Sequence, residues 1–373
     1  MKIVNLMANN LVIPYPQEVR PAWQPGLVVT SYSFTLLRIV TDEGIVGVGG
    51  TPGHQAGVIL EQIKPFLLGE DPLAPERLAR VYRNAGNGIW CVDMALWDIL
   101  GKTAGLPLYK LWGAYTNKVK AYASAVQVGT PEDRAALALH YRELGFNAMK
   151  LRFHNEKMKD DLAILDACIK ATQGKMSFMV DANQPSIGPS AVRGVIWDFQ
   201  RALRTARELE ARGVIWLEEP LDRYDFENLI CLREATDIYI AGGEMNRGLH
   251  EFRWLIEKGV YDIIQPDCAL SEGVSQLRKV AALAEMYKRH FAPHHAMSGL
   301  GLAGALHLTC TFPGETWMEI MYEPNARTIE GFQQLGGILE SKIWIDPYGY
   351  VSPSEEPGLG VIVNEKAISR YTV

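Results

Sequence analysis

The chain has 373 residues, 48% hydrophobic and 21% charged, the balance of a folded enzyme rather than a disordered or fibrous chain. A formal net charge of −6 without any basic block is not the footprint of a nucleic-acid partner, and no apolar run suits a signal core or a membrane span. Five scattered cysteines without CxxC spacing read as reduced packing residues, so the expected compartment is cytoplasmic.

Residues 1–116 read as an α+β unit. Tyr32 to Val48 alternate around Asp42-Glu43-Gly44, which predicts an antiparallel hairpin. A helix is predicted over Val92–Thr103, closed by Gly105-Leu106-Pro107. Over 117–344 the pattern changes to eight short apolar runs, each followed by an amphipathic helix. They begin at Val119, Asn147, Phe178, Trp216, Ile240, Asp262, Phe291 and Trp317. Short buried strands alternating with helices imply an α/β fold with a parallel sheet, and eight of them imply a closed (β/α)8 TIM-like barrel. Residues 345–373, with Pro347-Tyr348-Gly349 and Pro357-Gly358-Leu359-Gly360, are expected to return to the N-terminal unit.

Polar residues end these runs: Lys150 and Arg152, Asp181 and Asn183, Glu218 and Glu219, Glu244, Asp267, His294 and His295, with Glu319 inside the last. Barrel active sites form at strand carboxyl ends, so these side chains should meet at one mouth. Asp181, Glu218 and Glu244, lacking a Cys ligand or a His pair, suit a hard cation, Mg²⁺. The plainer alternative makes them ion-pair partners of Lys150 and Arg152, but three acids at one mouth repel unless a cation joins them. Glu219, by strand alternation, is expected to point away and pack structurally.

VDAN at 180–183, LEEPL at 217–221, GGE at 242–244, QPD at 265–267 and APH at 292–294 resemble the mandelate racemase subgroup of the enolase superfamily. DMALWDILGKTAGLPLYKLWG at 93–113 and PGLG at 357–360 are similar to that family's capping-domain signatures. The resemblance implies a barrel capped by an α+β domain built from both termini. It implies abstraction of a proton α to a carboxylate, giving an enediolate held by Mg²⁺. By the same pattern His294, in the PH step, is the base and Asp267 orients its ring. Lys150 and a protonated Glu319 then donate to the developing charge.

The chain departs from the family at one place. Racemising members carry Lys-x-Lys where this sequence reads Lys150-Leu151-Arg152. Arginine keeps its proton at neutral pH, so Arg152 is a poor base. One base suits elimination of water from a hydroxy acid, and the expected activity is that of an acid-sugar dehydratase. Arg152 is expected to fork onto a substrate carboxylate or hydroxyl pair. Asn183 is expected either to bond a substrate hydroxyl or metal water, or to serve as a turn residue.

The stretch Gln184 to Val195 reads as a loop shaping the mouth. Tyr15, Trp23, Gln24 and His54 lie in capping segments that the resemblance places over the substrate. An isomerase, either a lactone cycloisomerase or a racemase/epimerase, is the alternative, with a non-catalytic binding barrel more distant. The expected partner is a small-molecule carboxylate, and the family implies a homo-oligomer.

Overall fold

The computed structural model describes residues 1–83, 85, 89–186, 194–295 and 298–373. Three antiparallel strands open the chain: β1 (Ile3–Val19), β2 (Val29–Thr41) and β3 (Val46–Pro52), in the order β1-β2-β3. The hairpin turns where expected, with Gly44 at φ +80° and its N–H bonded to Thr41 O at 3.1 Å. β1 carries Pro14 and Pro16, which disguise it in the sequence. It is an edge strand whose register shifts between Pro14 and Val19, the position where a strand tolerates a residue without an N–H.

Helix Cys91–Ala104 lies across this sheet at close range. A Cβ on Gly47 would stand 2.2 Å from Ala95 O, and one on Gly49 2.0 Å from Cys91 O, so only glycine permits the approach. The helix stops at Gly105, φ +66°. Its two aspartates dock it to the rest of the molecule. Asp93 accepts from Tyr82 Oη (2.7 Å), Ser275 N (2.8 Å) and Ser275 Oγ (2.6 Å). Asp98 accepts from Val48 N (2.9 Å), Leu359 N (2.9 Å) and Lys102 Nζ (2.7 Å). Burial raises both pKa values, because a charged carboxylate leaves water to make these bonds.

All eight apolar runs form parallel strands: β4 (Val119–Ser124), β5 (Ala148–Arg152), β6 (Ser177–Asp181), β7 (Trp216–Glu218), β8 (Tyr239–Gly242), β9 (Ile263–Ile264), β10 (His290–Phe291) and β11 (Trp317–Met321). They pair in chain order, and β11 returns beside β4. The expected closure is not a full ladder. Among the described residues β10 and β11 share no backbone pairing. Pro266 and Pro293 follow closely on β9 and β10, two residues each, and remove the donors that would lengthen them. The seam is held by Thr316 Oγ1 donating to Phe291 O, and by His295 Nε2 donating to Glu319 O at 2.9 Å.

The barrel interior begins as an apolar layer of Tyr122, Ala148, Met179, Trp216, Ala241, Ile263 and Ala292. Two residues further along five of these strands, on the same face, come Lys150, Asp181, Glu218, Gln265 and His294. A period of two thus converts a dry floor into a polar mouth. The final segment touches both parts of the molecule: β12 (Tyr350–Val351) pairs antiparallel with β4, while Thr372 bridges to Leu11 of β1.

Candidate active site

Lys150 occupies the middle of the mouth, 1% exposed. Its Nζ lies 2.9 Å from each Glu218 oxygen, 3.2 Å from Glu319 Oε1 and 3.7 Å from Asp181 Oδ2, above the Tyr122 ring at 5.5 Å. Burial alone would lower its pKa, but Glu218, Glu319, Tyr122 and Asp181 raise it well above the usual lysine value. Glu218 also accepts from Trp216 Nε1 (3.1 Å) and Gln265 Nε2 (3.0 Å). Against the burial penalty, Lys150 draws the Glu218 pKa down.

Arg152 is tightly engaged. Its Nη1 donates to Asp181 Oδ2 and, at 3.1 Å, to Asn183 Oδ1; Nε donates to Ala125 O (2.8 Å) and Nη2 to Ser124 Oγ (3.1 Å). Asn183, in the left-handed region at φ +46°, donates from Nδ2 to Asp181 Oδ2 at 2.8 Å, and its Oδ1 also meets His154 Nε2 at 3.1 Å. The Arg152 fork, expected to meet a substrate, is taken up largely by protein groups, and Asn183 sits at a strand-end turn. The partners come from the protein because Arg152 stands opposite Asp181 in the β5–β6 register.

The second half of the site is a dyad. His294 Nδ1 lies 2.8 Å from Asp267 Oδ2, and Asp267 Oδ1 accepts from Ala269 N (2.6 Å) and Leu270 N (3.0 Å). His294 Nε2 faces Glu244 Oε2 at 3.3 Å and Glu319 Oε2 at 3.8 Å. Burial would lower the imidazole pKa, but Glu244, Asp267 and Glu319 together raise it to about 10. Glu319 joins the halves, with one oxygen toward Lys150 and the other toward His294.

Burial favours a proton on Glu319, but in this arrangement Lys150, His294, His295 and Arg152 outweigh it and lower its pKa. Its carboxylate accepts no hydrogen bond among the described residues. The strand ends at Glu218 and Glu219 adopts φ +47°, so the alternation that would turn Glu219 away does not extend to it. Buried near Glu244, Asp181 and Glu218, it has a pKa well above the usual range.

The acids outnumber the cations, and the imbalance bears on a metal. Asp181 is raised to about 7 by burial and by Glu218, against the pull of Arg152 and Lys150. Glu244 is raised by burial and, against His294, by Glu218. As the side chains stand, no three His, Cys, Asp or Glu among the described residues gather closely enough to hold an ion. Lys150 and Arg152 take the acids instead. The donor set nevertheless fits Mg²⁺: three hard oxygen ligands from adjacent strand ends, crowded in a way a divalent cation relieves.

Of the capping residues, Trp23 reaches the site: its ring lies 5.2 Å from the Arg152 guanidinium carbon. Tyr15 packs against the core and His54 is exposed. Of the mouth loop, Gln184 ties its base to Trp197 N at 2.7 Å, while 187–193 lie outside the described residues. His154, Trp216 and Gln265 went unnoticed as site residues in the sequence; His154 continues the Lys150, Arg152 alternation by one more step.

Residues 10–113 match the mandelate racemase/muconate lactonizing enzyme N-terminal domain, and residues 133–367 the enolase C-terminal domain-like family. The chain belongs to the mandelate racemase/muconate lactonizing enzyme family. Among curated members of this family, the L-talarate/galactarate dehydratase of Salmonella typhimurium is 32% identical, over 91% of this chain and 82% of the relative. The structure of L-talarate dehydratase from Polaromonas sp. JS666, complexed with Mg and L-glucarate, superposes with a TM-score of 0.82 at 27% identity, covering 100% of this chain and 97% of that one. The 3,6-anhydro-D-galactonate cycloisomerase from Zobellia galactanivorans gives 0.83 at 27% identity, covering 100% of both chains. No helix among the described residues is long and apolar enough to cross a membrane.

Proposed function

We propose that this member of the family is a Mg²⁺-dependent hydro-lyase that removes water from a hydroxy acid of the acid-sugar class, giving a 2-keto-3-deoxy acid. The observation that carries the reading is the asymmetry of the mouth. One side holds a His–Asp dyad, while the position of a second base holds a guanidinium fixed by four protein groups.

His294 Nδ1 donates to Asp267, so Nε2 is the atom that takes the α-proton. Asp267 is itself fixed by two backbone N–H groups, which keeps the ring from turning. Asp181, Glu218 and Glu244 would hold Mg²⁺. When bound, Mg²⁺ supplies Lewis-acid charge to the substrate carboxylate and takes up the Glu244 charge that keeps His294 protonated. Lys150 donates to the carboxylate as negative charge grows there, and the remaining Nη2 hydrogen of Arg152 is available to a substrate oxygen. Asn183 contributes by orienting Asp181. The electrons of the broken C2–H bond form the C2–C3 double bond as the C3–O bond breaks. The imidazolium returns its proton to the departing hydroxide, so water leaves, and the enol takes a proton at C3 to become the keto acid.

Glu319 lies between Lys150 and His294. It gains a proton only if added negative charge from a substrate outweighs its cationic neighbours.

A lactone cycloisomerase is the second reading, favoured by the similarity to the Zobellia enzyme and by its need for only one α-proton abstraction. Incubating acid sugars and their lactones with Mg²⁺ and following both by NMR separates the two. Keto product from the open acids is expected. A changed lactone ring without keto product supports the isomerase, and inert acids and lactones leave a binding barrel.

A further inference from the structure

Arg327 is a cation at the mouth that the reaction above does not use. It follows β11 on the carboxyl-end face, in a turn closed by Ala326 N to Glu323 O (3.1 Å) and Glu323 N to Arg327 O (3.2 Å). The turn passes through Asn325 at φ +63°. The guanidinium carbon lies 4.9 Å from the centre of the Trp23 ring and 4.3 Å from that of Phe332, and Nη1 touches Met321 Sδ. It is half-buried, and it forms no ion pair with a carboxylate among the described residues.

That environment is unusual for its charge. Aromatic faces attract a guanidinium, yet they do not replace the hydrogen-bond acceptors it loses on leaving water. Arg152 approaches the same indole at 5.2 Å but is already bound to Asp181, Asn183, Ser124 and Ala125. Trp23 therefore stands between a guanidinium anchored at the acid cluster and one that pairs with no carboxylate among the described residues. A planar fork of N–H donors is the group that recognises a carboxylate bidentately.

We propose that Arg327 binds a second, distal carboxylate of the substrate, so that the hydroxy acid is a diacid rather than a monoacid. This rests on the reading that the mouth takes a hydroxy-acid carboxylate at its Lys150 end. The distal end of such a molecule then extends toward the cap, where Trp23 limits its course and Arg327 meets its charge. A monoacid of the same length presents a hydroxyl there and leaves the guanidinium without an anion.

The test uses galactarate and D-galactonate as a diacid and monoacid pair, with the unmodified protein, Arg327→Gln and Arg327→Lys, all in Mg²⁺. Binding is measured by calorimetry and turnover by NMR. The unmodified protein should prefer the diacid. Arg327→Gln should weaken diacid binding, or raise its KM, on the order of 10- to 100-fold, the worth of a charge-assisted contact. Monoacid affinity and kcat should stay close to unmodified values, and Arg327→Lys should recover part of the loss. A merely structural stack would instead weaken both ligands together; that result, or a preference of the unmodified protein for the monoacid, or no selective binding of either, overturns the assignment. Selective diacid binding that is lost in Arg327→Gln, without turnover of any acid, keeps the assignment and removes the dehydratase reading.

Discussion

Arg152 and Asp181 face each other in the β5–β6 ladder and are joined side chain to side chain. A backbone register therefore brings a permanent cation onto an acid proposed to hold the metal. The same bond that steadies Asp181 also removes the second face of the site from acid–base chemistry, because a guanidinium so held neither gives up a proton nor turns away.

Exchange on one face follows from this. In D₂O with Mg²⁺, deuterium should enter C2 only in the epimer presenting its α-hydrogen to His294. Arg152→Lys should lower dehydration about 10-fold or more by losing the bonds to Ala125, Ser124 and Asn183. The shorter ammonium can lose a proton when buried, and slow exchange from the opposite face should emerge. NMR of both C2 epimers checks this, and efficient interconversion by the unmodified protein would return it to the racemases.

The metal assignment has a direct test. Chelation should stop turnover and added Mg²⁺ restore it, with Mn²⁺ able to substitute because both take oxygen ligands. Glu244→Gln should weaken Mg²⁺ binding roughly 10- to 100-fold while the thermal unfolding of the metal-free protein changes little. Calorimetry and melting curves read the two separately. Full activity in excess chelator, with no metal detectable in the protein, ends the assignment.

Much of this site was legible because a barrel translates sequence order into position. Each apolar run became a strand, and the residue two places beyond its floor became part of the mouth: Met179 leads to Asp181, Trp216 to Glu218, Ala292 to His294. What stayed hidden depends on events the pattern does not encode. Glu219 breaks alternation by a positive φ, and β1 carries prolines at an edge. The engagement of Arg152 and the lowered pKa of Glu319 arise from which charges crowd together, a matter of three-dimensional neighbours rather than spacing. The unladdered seam between β10 and β11 lies where Pro293 lacks a donor, a residue plain in the sequence whose effect shows only once the strands are aligned.

The dyad should divide into unequal parts. His294→Asn should abolish both keto product and α-exchange, with Mg²⁺ affinity nearly unchanged. Asp267→Asn should leave measurable activity, reduced roughly 10²- to 10⁴-fold, since it misorients the ring without deleting it. Residual exchange in His294→Asn at the unmodified rate would move the base elsewhere, with Lys150 the next group to examine.

His307 gives a prediction about stability rather than catalysis. It lies in helix Gly299–Thr309, where Tyr109 N donates to Nδ1 and Nε2 donates to Leu359 O, both at 3.2 Å. One ring nitrogen must keep a lone pair and the other a hydrogen, so the native structure requires the neutral ring. Burial lowers its pKa from 6.5 to about 4. The unfolded chain therefore binds a proton that the folded chain refuses between these values, and stability falls as pH falls through that window. Fully developed, the effect is on the order of 3 kcal/mol. His307→Gln cannot titrate; it should be less stable than the unmodified protein near pH 7 by about 1–2 kcal/mol, for a lost buried hydrogen bond. That gap in Tm should close and then reverse as pH falls toward about 4.5, because the carboxylates titrate alike in both proteins and cancel in the difference. A gap that stays constant across the range would mean that His307 is not held neutral, and that the C-terminal segment is fastened there by something other than its tautomer.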